Sequence, residues 1–232
     1  MRKYAWILLG LLLFACWVSG CGGGGGSSST IEPSPDDYLI EALVDGQVVR
    51  WTRPISVYMN QTDVPPTWKP AHAVMLQDGA AEWANAAPGR LSFNYITSRV
   101  DPCITIKWVT DHPLGEDPPT IGVSKLHLVT IGGTQYIQRV EIALATTSGG
   151  TPMPDAIMRL LSIHELGHAI GIWGHSDVEG DIMFPELGGQ TGLSARDVTT
   201  INRLYSLAPS VSELTRSVRG LTPEETTTIT MP

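Results

Sequence analysis

Residues 164–175, with the sequence HELGHAIGIWGH, limit what this chain can fold into more than any other stretch. The first five residues match the pattern H-E-x-x-H, and residues four apart on an α-helix lie on the same face. The imidazoles of His164 and His168 can therefore bind one metal ion, with the Glu165 carboxylate placed to accept a proton from a water on that metal. The alternative is a surface helix with scattered histidines, but three of the chain's six histidines fall within this stretch.

The first 21 residues have the features of an export signal. Two basic residues precede an uncharged apolar run, residues 4–18, which is shorter than the about 20 residues that a membrane-spanning helix needs. Small residues then stand directly before Cys21, as in the lipobox of bacterial lipoproteins. We therefore predict a lipoprotein signal peptide at residues 1–20 and lipidation of Cys21. An ordinary secretory signal, an uncleaved anchor and processing at Cys16 are the alternatives.

The remaining chain divides by composition. Residues 21–35 are predicted to be the lipidated cysteine and a flexible Gly/Ser/Pro linker. Residues 36–207 are long enough for one domain with a sizeable core, and residues 208–232 are predicted to be a flexible C-terminal tail. The predicted location is the cell envelope, lipid-anchored in a bacterial outer membrane, or else secreted.

Charge and cysteine content exclude some classes of protein. The formal net charge is −8, and it falls to −10 once Arg2 and Lys3 are removed with the signal, which argues against nucleic acid as a partner. Cys103 is the one cysteine of the predicted domain, so the domain has no intramolecular disulfide. We expect Cys103 to be a small buried hydrophobe, the protein to be a monomer, and its membrane contact to be through the N-terminal lipid alone.

Periodicity predicts the secondary structure. Alternating patterns predict strands at residues 48–59, interrupted by Pro54, and at 91–97, 103–109, 122–131 and 135–145. The last two strands form a hairpin around Gly132 and Gly133. Apolar stripes and end signals predict helices at 67–87 with Thr67 as N-cap, at 156–170 ending before Gly171, and at 194–206 with Ser194 as N-cap.

Two further features were weighed as binding sites. The acidic loop at residues 111–119 has carboxylates that can bind calcium, but a solvated loop is the favoured interpretation, so calcium has no support beyond composition. His127 is interpreted as an ordinary strand residue, because no second metal-type cluster surrounds it in the sequence.

The sequence after the H-E-x-x-H pattern resembles a known clan. Gly171 and His175 follow, and Met183 stands in the sequence Asp-Ile-Met-Phe-Pro. This resembles the metzincin zinc peptidases, whose signature is H-E-x-x-H-x-x-G-x-x-H followed by a methionine turn. Within the clan the chain is most similar to the matrixins, because Ser176 follows the third histidine and residues 193–205 resemble the matrixin C-terminal helix.

The resemblance implies a fold and a metal site. The fold is a metzincin-like α+β catalytic domain: a mixed, twisted sheet of about five strands packed with three helices, and a zinc cleft above the Met-turn. One catalytic Zn²⁺ is implied, held by His164, His168 and His175, with Met183 beneath the ligands. The spacing from Gly171 to His175 is one residue longer than the signature. Three carboxylates therefore remain as alternative third ligands: Asp177, Glu179 and Asp181.

The implied function is that of a metalloendopeptidase, which hydrolyses protein or peptide substrates with Glu165 as general base. An extended substrate would lie antiparallel to an edge strand within residues 122–131, and residues 185–192 would line the specificity pocket. The alternative is a lipid-tethered zinc-binding module of the same fold without catalytic activity. The presence of Glu165 argues against that alternative.

Overall fold

The secondary structure is known for residues 31–111, 120–215, 218 and 221–232 of the computed structural model. There are three helices in this part of the chain: α1 (Pro70–Ala86), α2 (Asp155–Ile170) and α3 (Ala195–Ser206). The strands are β1 (Ile55–Met59), β2 (Phe93–Ile96), β3 (Ile104–Val109), β4 (Gly122–Ile131), β5 (Thr134–Ala145), β6 (Thr147–Ser148), β7 (Thr151–Pro152), β8 (Ser212–Glu213) and β9 (Glu225–Met231).

The main sheet has the strand order β2-β1-β3-β5-β4-β9, and β8 also pairs with β5. Strands β1, β2, β3 and β5 run parallel to one another, whereas β4 is antiparallel to both β5 and β9. The short strands β6 and β7 form a separate antiparallel pair. The predicted α+β fold, a mixed sheet with three helices, is confirmed, and β8 and β9 are additions to the five strands expected.

Helix α2, which carries the H-E-x-x-H pattern, lies in the core. Every residue from Leu160 to Ile170 is buried, and the helix contacts β4, β5 and α1. A helix that is apolar on most sides is stable only in such a position. The indole N–H of Trp83 on α1 donates to the Ile163 carbonyl at 2.8 Å. At Gly79 a Cβ would lie 3.1 Å from the Ile163 side chain, so the two helices pack closely there.

Local signals located the hairpin and the last helix. Strands β4 and β5 are joined at Gly132 and Gly133, whose φ angles of 58° and 73° are the left-handed values that favour glycine. Ser194 is the N-cap of α3, because its hydroxyl accepts a hydrogen bond from the Asp197 amide at 3.0 Å. The Asp197 carboxylate in turn accepts from the Ser194 amide at 2.7 Å, which completes a capping box.

Two predicted element starts are wrong. Helix α1 begins at Pro70 with Lys69 as N-cap and without a side-chain cap. The predicted cap, Thr67, instead shares a hydrogen bond of 2.6 Å with the Thr146 hydroxyl, and proline is well suited to the first helical turn because it lacks the N–H that would be unpaired there. Strand β1 begins at Ile55, directly after the interruption predicted at Pro54, and before Pro54 the predicted strand is reduced to an isolated bridge between Val49 and Val211.

The segment 208–232 differs from the flexible tail predicted for it. Strand β8 pairs with β5, and β9 pairs with the outer side of β4 along seven residues. Main-chain hydrogen bonds, which need no apolar side chains, hold such a strand at the open edge of a sheet. The threonine-rich composition that indicated a loose tail is also favourable in strands.

Several predictions concern residues outside the described ranges. These are the signal peptide, Cys21 and most of the linker, which lie within residues 1–30, and the acidic loop from residue 112 to residue 119. Cys103 is fully buried, as expected. None of the helices in the described ranges is both long and apolar enough to cross a membrane.

Candidate metal centre

Three histidines converge at the end of helix α2. His164 and His168 lie one turn apart on the helix, and His175 returns to them after a turn in the chain. The metal-binding atoms of the three side chains lie within 4.8 Å of one another. His164 and His168 are buried, whereas His175 is partly exposed. The sequence reasoning and the structure therefore bring together the same three side chains.

Two glycines allow the chain to turn and bring His175 back. Gly171 has a φ of 126°, and a Cβ there would lie 2.9 Å from the Val49 carbonyl oxygen. Gly174 packs even more closely, because its Cβ would be 1.9 Å from the Glu41 carbonyl oxygen. No side chain fits at either point, which explains how a loop one residue longer than the signature still closes.

Hydrogen bonds orient the imidazoles. The Nδ1 atoms of His164 and His168 lie 2.7 Å from the carbonyl oxygens of Ile182 and Ile172, so each Nδ1 carries the proton and donates it. The Nε2 atoms of His168 and His175 are buried and have no hydrogen-bond partner among the described residues. A buried nitrogen without a partner is costly unless it has another ligand. A zinc ion fits this donor set, which offers neutral imidazole lone pairs.

Burial also keeps the three rings neutral. It lowers the pKa of His164 to about 4 and that of His168 well below the usual histidine range. It lowers the pKa of His175 as well. Because a histidine binds metal in its neutral form, these shifts favour metal binding at neutral pH.

Two of the three alternative carboxylate ligands, Asp181 and Asp177, are engaged elsewhere. Asp181 accepts hydrogen bonds from the hydroxyls of Ser176 at 2.5 Å and Ser194 at 2.6 Å, and it pairs with Arg196 at 3.2 Å. Asp177 is exposed and also pairs with Arg196, at 3.2 Å. Within the described ranges, the side-chain group that could hold a metal consists of the three histidines.

Glu165 lies beside the histidines in a buried position. One carboxylate oxygen accepts a hydrogen bond from the Ser124 hydroxyl at 2.7 Å. Burial raises the pKa of the Glu165 carboxyl to about 8, although the Ser124 hydrogen bond acts against this shift. A carboxyl with a pKa near neutral can both accept and donate a proton, as general acid–base catalysis requires.

The predicted Met-turn residue packs under the ligand helix. Met183 is fully buried, and its sulfur touches the position where Gly167 lacks a side chain: a Cβ there would lie 2.3 Å from Sδ. The neighbouring Ile182 connects this turn to the site, because its carbonyl accepts from His164. Its amide donates to the Asp197 carboxylate at 2.9 Å, so α3 fixes the turn that orients the His164 ring.

A cleft of about 740 Å³ opens onto these groups. Its walls come from the start of β4, from α2, from the loop after Met183 and from the last residue of the chain. The lining residues are Thr120, Ile121, Gly122, Leu161, His164, Glu165, His175, Pro185, Glu186, Leu187 and Pro232. Three of them lie in the segment 185–192 that the sequence predicted to line a specificity pocket.

The sequence reasoning missed Ser124 and Gly122. Both lie at the start of β4, and both touch Glu165 across the interface between sheet and helix. A Cβ at Gly122 would lie 2.2 Å from the Glu165 carboxylate and 2.6 Å from Leu161. Nothing in the strand pattern indicates this contact, since it depends on how α2 crosses the sheet. His127, in contrast, lies in β4 with Nε2 3.3 Å from the Glu141 carboxylate, outside the metal group.

Replacement of Gly122 by alanine should move the Glu165 carboxylate without unfolding the protein, because the atoms it would strike are the ends of two side chains. Misplacement of a catalytic group by about 1 Å can cost about 100-fold in rate, so we expect Gly122→Ala to lower kcat by at least about tenfold. Zinc content should not change. Gly180→Ala is the matched control, because a Cβ there meets nothing within 4 Å. Equal kcat values for the two variants would contradict the assigned contact.

The metal-free protein should show opposite pH effects from the histidines and from Glu165. The folded-state pKa values of the histidines are lowered, so their contribution to stability is present above about pH 6.5 and is lost as the pH falls toward about 4. The folded-state pKa of Glu165 is raised, so its contribution is present below about pH 4.5 and is lost as the pH rises through about 8. In Glu165→Gln, this loss of stability with rising pH should disappear.

Denaturant unfolding of the metal-free protein at pH 5 and pH 8 measures this effect. From pH 5 to pH 8, the free energy of unfolding of Glu165→Gln should rise by on the order of 2 kcal/mol relative to that of the unsubstituted chain. The same difference in both proteins would mean that the Glu165 carboxyl is not held protonated by burial.

Comparison with known proteins agrees with the fold and the site. Residues 129–206 match the family model of the matrixins, peptidase family M10. None of the curated proteins compared with the chain is significantly similar to it. The matched part extends from the end of β4 through α2 to the end of α3, so it includes the three histidines, Glu165 and Met183. This part of the chain is therefore similar to the matrixins.

Proposed function

We propose that the chain is a zinc-dependent endopeptidase. The observation that carries the proposal is the convergence of three neutral histidines beside a buried glutamate in an open cleft. His164, His168 and His175 would hold one zinc ion. When bound, zinc supplies Lewis acidity, which lowers the pKa of a water molecule toward about 7 and polarises a carbonyl group.

Glu165 would move the proton. Its carboxylate would accept a proton from the attacking water and then deliver it to the amine that leaves. The Ser124 hydroxyl donates a hydrogen bond of 2.7 Å to this carboxylate and keeps its orientation the same for both proton transfers. Burial raises the pKa of this carboxyl in the metal-free protein, and a raised pKa makes the carboxylate a stronger acceptor for a water proton.

The outer side of strand β4, with which β9 pairs in the structure, would hold the substrate once β9 leaves it. An extended peptide adds to the edge of a sheet through main-chain hydrogen bonds and needs no particular side chains for that part of its binding. Strand β4 begins next to Glu165, so a peptide paired with it would pass the catalytic groups. The loop at residues 185–187 lines the cleft opposite and would contact the substrate side chains.

The sequence also supports an envelope location for this activity. We propose that Cys21 carries the lipid and that the linker at residues 21–35 holds a monomeric domain away from the membrane, where it acts on proteins or peptides. Secretion without a lipid is the alternative.

Cleavage of an unfolded protein tests the proposed function, with and without a metal chelator. Cleavage should stop on chelation and return when zinc is added, and mass spectrometry should find new peptide termini. Unchanged cleavage in chelator would contradict a zinc mechanism. Zinc binding without any new termini would favour the non-catalytic zinc-binding module instead.

A further inference from the structure

The last strand of the chain covers the edge on which a substrate would bind. Strand β9 pairs antiparallel with β4 from Thr130↔Glu225 to Ser124↔Met231. Without β9, the order β2-β1-β3-β5-β4 would leave β4 as an open edge next to the cleft. The main-chain groups of β4 that would bind a peptide are therefore already paired with a segment of the same chain.

Strand β9 also leads into the catalytic site. Its last residue, Met231, pairs with Ser124, the residue whose hydroxyl holds Glu165. The next residue, Pro232, lines the cleft together with His164, Glu165 and His175. The segment therefore runs along the edge strand and reaches the groups that would act on a substrate.

The side chains of β9 contribute little to the core. None of its seven residues is buried, whereas eight of the ten residues of β4 are. Outside the ladder, polar contacts hold the segment just before its start and at its middle: the Glu224 carboxylate accepts from the Gly132 amide at 2.9 Å, and the Thr228 hydroxyl lies 3.0 Å from His127 Nδ1. Main-chain bonds with few buried side chains are how a peptide ligand binds a sheet edge, and not how a core strand does.

We propose that residues 225–232 are an intramolecular occupant of the substrate groove, which limits access of other peptides to the catalytic site. This proposal rests on the proposed endopeptidase function. A tethered segment has an effective concentration on the order of mM, so it competes with external peptides even when its own affinity is weak. Release of β9 from β4 opens the groove.

The segment can be released in the full-length, zinc-loaded protein by the double substitution Thr227→Pro and Thr228→Pro. The amides of neighbouring strand residues point to opposite sides, so one of the two must point toward β4, and proline removes it. The matched control is Thr227→Ser with Thr228→Ser, which keeps both amides. Neither residue is buried, and the described core should be unaffected in both variants.

Hydrogen exchange and kinetics report different consequences. The outward amides of β4, within residues 124–130, should be protected in the unsubstituted chain and in the serine variant, and should exchange at least about tenfold faster in the proline variant. Release of a competing segment lowers the apparent KM and leaves kcat unchanged, so we expect KM for an external peptide to fall at least about tenfold. If β9 had only a structural role, its disruption would instead lower the free energy of unfolding or kcat.

A binding measurement keeps this test separate from catalysis. In a Glu165→Gln background, a labelled peptide with the sequence ETTTITMP, residues 225–232, should bind the proline variant at least about tenfold more tightly than the serine variant. If the labelled peptide binds but no variant hydrolyses peptides, residues 225–232 still occupy the groove, and the proposed endopeptidase function is wrong. If hydrolysis occurs but exchange, KM and peptide affinity are the same in both variants, the occupant proposal is overturned. Equal protection of β4 in both variants also overturns it, because β9 would then not be what covers the edge.

Discussion

Replacement of Glu165 by glutamine should reduce peptide hydrolysis by about 10²- to 10⁴-fold, the usual contribution of a general base. Glutamine has nearly the same shape and can still bond to the Ser124 hydroxyl, but it cannot accept and return a proton. The three histidines do not depend on the carboxylate, so zinc content should remain at the level of the unsubstituted protein. The measurement is kcat/KM for an unfolded protein or peptide, with zinc determined on the same sample.

Glu41→Gln is the matched control for this prediction. Glu41 is exposed, and it belongs neither to the cleft lining nor to the histidine group. We expect its variant to keep the activity within a few-fold. A Glu165→Gln protein that remains as active as the Glu41→Gln protein would mean that another group moves the proton. Zinc-loaded protein that is inactive both with and without Glu165 would favour the non-catalytic module.

The second large effect is expected at the third ligand. His175→Ala should leave two histidines, which do not complete a tetrahedral site, and should lower zinc affinity by more than the about 10- to 100-fold typical of residues that only support a ligand. Activity should be lost in proportion to the zinc. A zinc competition titration with a chelator of known affinity measures the change.

The carboxylates near His175 provide the comparison. Asp177→Ala removes an exposed group and should leave zinc affinity unchanged. Asp181→Asn should reduce stability, because the Asp181 carboxylate bonds to Ser176 and Ser194, but it should also retain zinc. Zinc retained in His175→Ala and lost in Asp181→Asn would assign the third ligand to the carboxylate.

The parts of this fold that local sequence determines could be predicted. The ligand helix, the hairpin at Gly132 and Gly133, and the capping box of α3 each depend on residues within a few positions of one another, so their side chains and φ requirements are readable directly. The approach of His175 to the helix could be inferred because the resemblance supplied a turn at Gly171. The spacing that is one residue longer left the third ligand open in the sequence. The close contact of Gly174 with the Glu41 backbone explains how this longer loop closes.

The parts that depend on distant pairing could not be predicted. Strand β9 pairs with β4 across about 100 residues of chain, mainly through main-chain bonds that every sequence can form. The contacts of Gly122 and Ser124 with Glu165 likewise depend on where α2 lies against the sheet. A glycine at a strand start and a serine within a strand have many ordinary explanations, so their contacts with Glu165 become visible only in three dimensions.

The most direct test of a three-histidine zinc peptidase is a titration of the metal-free protein with zinc, in which bound zinc and peptide hydrolysis are followed together. Both should rise in parallel and level off at one zinc per chain. Full hydrolysis before zinc is added would contradict the account. It would also be contradicted if one equivalent of zinc binds but neither the unsubstituted chain nor the Thr227→Pro, Thr228→Pro variant hydrolyses peptides.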